Sequence, residues 1–117
     1  MNEIEYSRIA DSIRPIIALL VEGEFESLVQ RCPDSRLTAS ELRTTVLQYN
    51  RTLVLPPNDA FDKLDVVEVQ NSQPQQFSVR FDLWTKEEGR SDLTIELTLR
   101  ETGKPLLQAE IDDLHTL

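Results

Sequence analysis

Apolar and polar residues alternate strictly in two runs, Phe77/Val79/Phe81/Leu83 and Leu93/Ile95/Leu97/Leu99, on either side of the turn sequence Lys86-Glu87-Glu88-Gly89-Arg90-Ser91. A period of two marks a strand buried on one face, so the pattern predicts a hairpin whose inner side is purely aliphatic and aromatic. For all the odd-numbered residues to share that side, cross-strand partners must sum to an even number. Leu83 then faces Leu93, Phe81 faces Ile95 and Phe77 faces Leu99. The loop left over is Glu87-Glu88-Gly89, whose last position calls for the left-handed conformation that glycine adopts without steric cost.

The same period reads Leu64 to Gln70, Gln76 to Thr85, Asp92 to Glu101 and Leu106 to Leu114 as four strands, most simply an antiparallel meander. A turn at Thr102-Gly103-Lys104 sets Leu97 opposite Ala109 and Ile95 opposite Ile111. The outward face then carries three rows: Arg80, Glu96 and Glu110; Asp82, Thr94 and Asp112; Trp84, Asp92 and Leu114. Glu96 facing Glu110 is repulsive by itself, and Arg80 beside them is the natural counter-charge.

Before the strands the period is helical. Ile9, Ile13, Ile16, Ile17 and Leu20 form an apolar stripe from about Glu3 to Glu22. Pro15 either kinks this helix or lies in the first turn of a second segment that starts at Ser12. Gly23 supplies a C-terminal cap, and Glu24, Phe25, Leu28 and Val29 suit a short helix ending near Cys32-Pro33. Thr38-Ala39-Ser40-Glu41 has the spacing of a capping box, so a third helix starts there, with Leu42, Val46, Leu47 and Tyr49 on its apolar side and Asn50 at its end. Each strand has one apolar face in need of cover. The expected fold over residues 1–117 is therefore a single α+β domain, with three N-terminal helices packed on one face of a four-stranded antiparallel meander sheet.

Charge changes the picture of partners. The formal net charge is -9, and residues 59–117 carry 13 acids against 6 bases. Phosphate backbones and anionic membrane surfaces reward clustered lysine and arginine, so nucleic acid and membrane are poor partners and a basic protein is a good one. The longest apolar run, Ile16 to Val21, is far short of the roughly 20 residues needed to span a bilayer. The N-terminus lacks the features of a secretory signal and Cys32 is the only cysteine, so no internal disulfide forms and a cytoplasmic location is expected.

Candidate chemistry gathers on the outward face, at Arg80, Asp82, Trp84, Asp92, Glu96, Glu110 and Asp112. Carboxylates on neighbouring strands can hold a divalent cation or act as acid and base, yet the same residues also make an ordinary solvated face. Trp84, the only tryptophan, is either an interface anchor or the centre of a second small core under a helix, the Leu53 to Pro57 segment or Leu114. Glu87, Glu88 and Arg90 suit turn chemistry or a charged loop offered to a partner. His115 lacks a second histidine or cysteine beside it, and Cys32 lacks the basic setting of a reactive thiolate. No phosphate-binding loop, Gly-x-Ser-x-Gly elbow or cofactor motif is present.

Leu83-Trp84-Thr85-Lys86-Glu87-Glu88-Gly89-Arg90-Ser91-Asp92-Leu93-Thr94, with Ile111-Asp112-Asp113-Leu114-His115, resembles a family of small bacterial proteins of unknown function. Ala18-Leu19-Leu20-Val21-Glu22-Gly23-Glu24-Phe25-Glu26-Ser27-Leu28 resembles the helix, glycine step and helix that open NTF2-like (cystatin-like) domains, which implies helices on a curved antiparallel sheet. Those domains insert a strand or hairpin before their third helix, where this chain has only Pro33 to Leu37, and no catalytic residue carries over. Two functions are expected. One is a non-enzymatic binding or accessory module, of the immunity type, that masks a basic partner. The other is an NTF2-like ligand-binding protein or enzyme with a pocket between helices and sheet that uses Tyr49, Asp113 or His115; a homodimer through the outer sheet face is a further possibility.

Overall fold

The helical half of the chain follows its caps. In the computed structural model, which describes residues 1–116, α1 runs Glu3–Val21, α2 Phe25–Arg31 and α3 Ala39–Tyr49. Pro15 lies inside α1, which is one unbroken helix; Asp11, whose carbonyl Pro15 leaves without a helical donor, is solvent-exposed. At the end of α1, the Gly23 N–H donates to the Leu20 carbonyl and the Glu24 N–H to that of Leu19, with Gly23 left-handed at φ 75°. The capping box of α3 is complete: the Thr38 N–H donates to Glu41 at 3.0 Å, and the Glu41 N–H donates to the Thr38 hydroxyl at 3.1 Å. Asn50 ends the helix in the left-handed region. None of these helices is long and apolar enough to cross a membrane.

Five antiparallel strands follow: β1 Leu53–Val54, β2 Asp65–Glu68, β3 Gln76–Thr85, β4 Gly89–Arg100 and β5 Gln108–Thr116. β2, β3, β4 and β5 form the expected antiparallel meander. β2 is shorter than expected, and β1 is an addition to the expected set. Both pair with the outer edge of β3, β1 opposite Thr85 and Trp84, β2 opposite Arg80 to Phe77. The 3-10 turn Asn58–Phe61 connects them. It is pinned by Phe61 stacked on Phe81, ring centroids 5.1 Å apart, and by the Leu64 N–H donating to the Tyr6 hydroxyl.

The inner face is as the alternation requires. Phe77, Val79, Phe81 and Leu83, with Leu93, Ile95, Leu97 and Leu99, are buried against Ile9, Ile13, Ile16, Ile17 and Leu20 of α1, Leu28 of α2 and Leu42 of α3. Burial of this apolar area on both layers is the main favourable contribution to the fold. Of the apolar stripe expected on α3, only Leu47 is left exposed.

Register holds in the regular part of the hairpin and changes at two irregularities. Phe77 faces Leu99, Phe81 faces Ile95 and Arg80 faces Glu96, as expected. Beyond Asp82 and Thr94 the ladder shifts, and Trp84 faces Arg90 instead of Asp92. Three β4 residues, Ser91, Asp92 and Leu93, then lie against Leu83 alone. Ser91 holds the irregularity: its buried hydroxyl donates across to the Leu83 carbonyl at 2.7 Å and accepts the Leu93 N–H of its own strand at 3.1 Å, standing in for ladder bonds. Gly89 is left-handed as expected, but it pairs with Thr85.

The β4–β5 register is two residues away from the expected one, with Leu99 facing Ala109 and Leu97 facing Ile111. The connection is longer than Thr102-Gly103-Lys104 because Arg8 of α1 fills it. Its guanidinium binds Glu101, the Lys104 carbonyl at 2.6 Å and the Pro105 carbonyl at 2.9 Å, while Glu101 accepts the N–H groups of Thr102 and Gly103. A second irregularity falls between Ile111 and Asp113, where Asp112 is an extra residue on β5. Leu114, expected outside, is turned into the core opposite Ile95.

Candidate functional site

With the helices on one face, the other face of the sheet is open and polar. Its rows are Arg80, Glu96 and Asp113; Asp82, Thr94 and His115; and Trp84 with Arg90. Of the seven residues expected there, Arg80, Asp82, Trp84 and Glu96 are brought together as a strip. Arg80 Nε lies 3.9 Å from Glu96 Oε1, and Asp82 accepts from the Thr94 hydroxyl at 2.8 Å and pairs with Arg90 at 3.7 Å. Asp92 is exposed in the irregular stretch and does not face Trp84.

Glu110 and Asp112 belong elsewhere. Glu110 faces Thr98, not Glu96, and is buried because the loop after α2 folds over it. Its Oε2 accepts the Asp34 N–H at 2.6 Å and its Oε1 has no partner among the described residues; desolvation raises its pKa above the ordinary 4.5. Cys32 lies under the same loop, its thiol pushed up to about 12 by burial and then by Glu110. Asp112 accepts from the Thr98 hydroxyl at 2.6 Å and faces Arg36 at 3.9 Å.

The residues named for an internal pocket do not converge. Tyr49 donates from α3 to Glu88 of the β3–β4 loop at 2.9 Å, whereas Asp113 and His115 lie on the open face of the sheet. Glu87 and Glu88 are occupied as well. Glu87 accepts the Thr52 N–H at 2.8 Å and the Thr52 hydroxyl at 2.9 Å, which hold its carboxyl below the ordinary range; Glu88 takes Tyr49 and Thr85. The hairpin loop is thus tied to the end of α3 and the start of β1.

Trp84 is half-buried, its ring standing over Gly89 so that an added Cβ there would just touch it at 3.7 Å, and it lines a cleft of about 570 Å³. The cleft occupies a break in the sheet edge. Even-numbered residues of β3 direct their main-chain groups toward β1 and β2, as the Lys86 N–H does to Thr52 and the Gln76 carbonyl does for Val69. Asp82 falls between the last β1 pair at Trp84 and the first β2 pair at Arg80, so it has no strand partner on that side. Asp59, Asp62, Lys63 and Asp65 rim the opening from the connecting segment, and among the described residues none of these four is in an ion pair.

Sequence reasoning missed the grouping of His115 with Glu96 and Asp113. His115 Nε2 lies 2.6 Å from Glu96 Oε2 and 3.9 Å from Asp113 Oδ2, and the Glu96 hydrogen bond is the largest cause of its raised pKa. The signal was the spacing of Ile111 and Leu114: two apolar residues three apart share a face only when one residue is extra between them.

The fold and this surface define an α+β module with three helices on one face of the sheet and an open sheet face rich in carboxylates. Residues 17–117 match the family described as Domain of unknown function (DUF7668), and the chain belongs to that family. No curated protein and no solved structure gives a significant match.

Proposed function

We propose that the protein is a non-catalytic binding module that docks a basic, extended segment of a protein partner in the cleft beside Trp84, and in doing so masks that partner as an immunity-type protein does. The observation that carries this reading is the break in the β3 edge at Asp82, which lines the same cleft as Trp84. The main-chain N–H and carbonyl of Asp82, between the β1 and β2 pairings, can hydrogen-bond one peptide unit of an extended chain. The aromatic face attracts a lysine or arginine of that chain, and Asp59, Asp62 and Asp65 stand ready as counter-charges. The net charge of -9 steers such a partner in.

The test is fluorescence anisotropy of a labelled short peptide of alternating lysine and valine over a series of salt concentrations. Affinity is expected to weaken as salt rises. Asp59→Asn/Asp62→Asn/Asp65→Asn together should lower it roughly tenfold, at a few tenths to about 1 kcal/mol for each exposed pair. Absence of binding, or binding indifferent to salt and to the triple substitution, overturns the reading.

A further inference from the structure

We infer that Glu96, Asp113 and His115 form a binding site for a divalent first-row transition ion, with zinc as the representative case. The inference is independent of the docking cleft. Three ligand atoms, one from each residue, lie within 4.8 Å of one another on adjacent strands β4 and β5. Ligands on one tetrahedral zinc, with bonds near 2.0–2.1 Å, are roughly 3.3 Å apart. The observed 2.6 Å and 3.9 Å from His115 Nε2 to the two carboxylates bracket that value.

Proximity alone does not make a site, but in two of the three groups the other atom is already held. His115 Nδ1 faces the Thr116 carbonyl at 3.2 Å, so the ring can keep its proton there while the ion displaces the proton that Nε2 donates to Glu96. Asp113 Oδ1 accepts the Leu114 N–H at 2.9 Å and leaves Oδ2 free to turn to the ion. Glu96 Oε1 faces Arg80 and Oε2 faces the imidazole. A metal-binding histidine characteristically has its second ring nitrogen on a backbone carbonyl, and ligating carboxylates are likewise held from behind. Here the imidazole and Asp113 are held in this way, and Glu96 has the Arg80 guanidinium 3.9 Å behind it.

The strand geometry supplies the rest. Asp112 is the extra residue that sets Asp113 opposite Glu96 and His115 one row along on the same face. Two carboxylates and one neutral imidazole neutralise a dication, and a nitrogen-plus-oxygen set suits zinc, cobalt or manganese better than calcium. The imidazole is 29% exposed, so water has access to the remaining coordination positions.

The test is isothermal titration of the untagged full chain with zinc chloride, paired with imidazole proton resonances. His115 is the only histidine, so its ring signals need no assignment. One zinc per chain is expected, with those resonances displaced in step with the heat, and with His115→Ala and Asp113→Asn each weakening affinity by more than about tenfold. Cys32→Ser should leave the affinity unchanged. No saturable binding, wild-type histidine resonances that do not move, or full affinity in folded His115→Ala protein overturns the site.

Discussion

Ile111 and Leu114 both point into the core although three positions separate them, because Asp112 between them is squeezed out of the β4–β5 ladder. Removing Asp112 therefore restores an even alternation: Ala109, Ile111 and Leu114 stay inside, and Asp113 and His115 stay outside. The deletion should fold and cost no more than about 3 kcal/mol, the upper worth of the hydrogen bond that Asp112 accepts from Thr98. Deleting Thr98 from the regular part of β4 inverts one end of that strand and should abolish cooperative unfolding in urea.

Ser12 joins two distant parts of the chain through a single oxygen. Its buried hydroxyl donates to the Arg8 carbonyl at 2.7 Å and accepts the Leu107 N–H at 2.9 Å. Ser12→Ala leaves that buried N–H without an acceptor and should cost about 1–3 kcal/mol in urea denaturation. A cost below a few tenths of a kcal/mol contradicts the bridging role.

Arg8 and Glu101 give the fold an acid-sensitive clasp. The Arg8 hydrogen bond, then the Gly103 N–H, hold the Glu101 carboxyl at about 2 against an ordinary 4.5. A carboxyl depressed in the folded state contributes stability that is fully present above the unfolded value and is lost as pH falls through the folded one. The window is thus from about 4.5 down to about 2. Thermal midpoints measured across it should fall less steeply for Glu101→Gln than for the native chain, and equal slopes contradict the clasp.

What was legible from sequence divides along parity. Arg80 beside Glu96, the buried odd-numbered residues and left-handed Gly89 all lie where the strands are regular or where one residue's chemistry decides alone. At Ser91 to Leu93 the ladder gains two residues. An even insertion keeps every side chain on its expected face, so periodicity cannot reveal it, and Trp84 was paired with Asp92 when its neighbour is Arg90.

At Asp112 a single residue is added, parity breaks, and the Ile111–Leu114 spacing records it. The grouping of Glu96 with Asp113 and His115 was hidden for that reason. Burial of Glu110 was hidden for another: it depends on Asp34, far away in sequence, whose N–H reaches back to the carboxylate. The turn is wider than Thr102 to Lys104 because Arg8, also remote in sequence, binds the Lys104 and Pro105 carbonyls.

The central claim is that the Trp84 cleft receives a basic extended chain, and Trp84, as the only tryptophan, reports on it directly. The decisive measurement is its emission during titration with the unlabelled peptide of alternating lysine and valine, alongside one of alternating glutamate and valine. The account predicts a saturable change in intensity and a shift to shorter wavelength with the basic peptide alone, reversed by salt. Emission that stays constant while the basic peptide binds, or that responds equally to the acidic peptide, contradicts it.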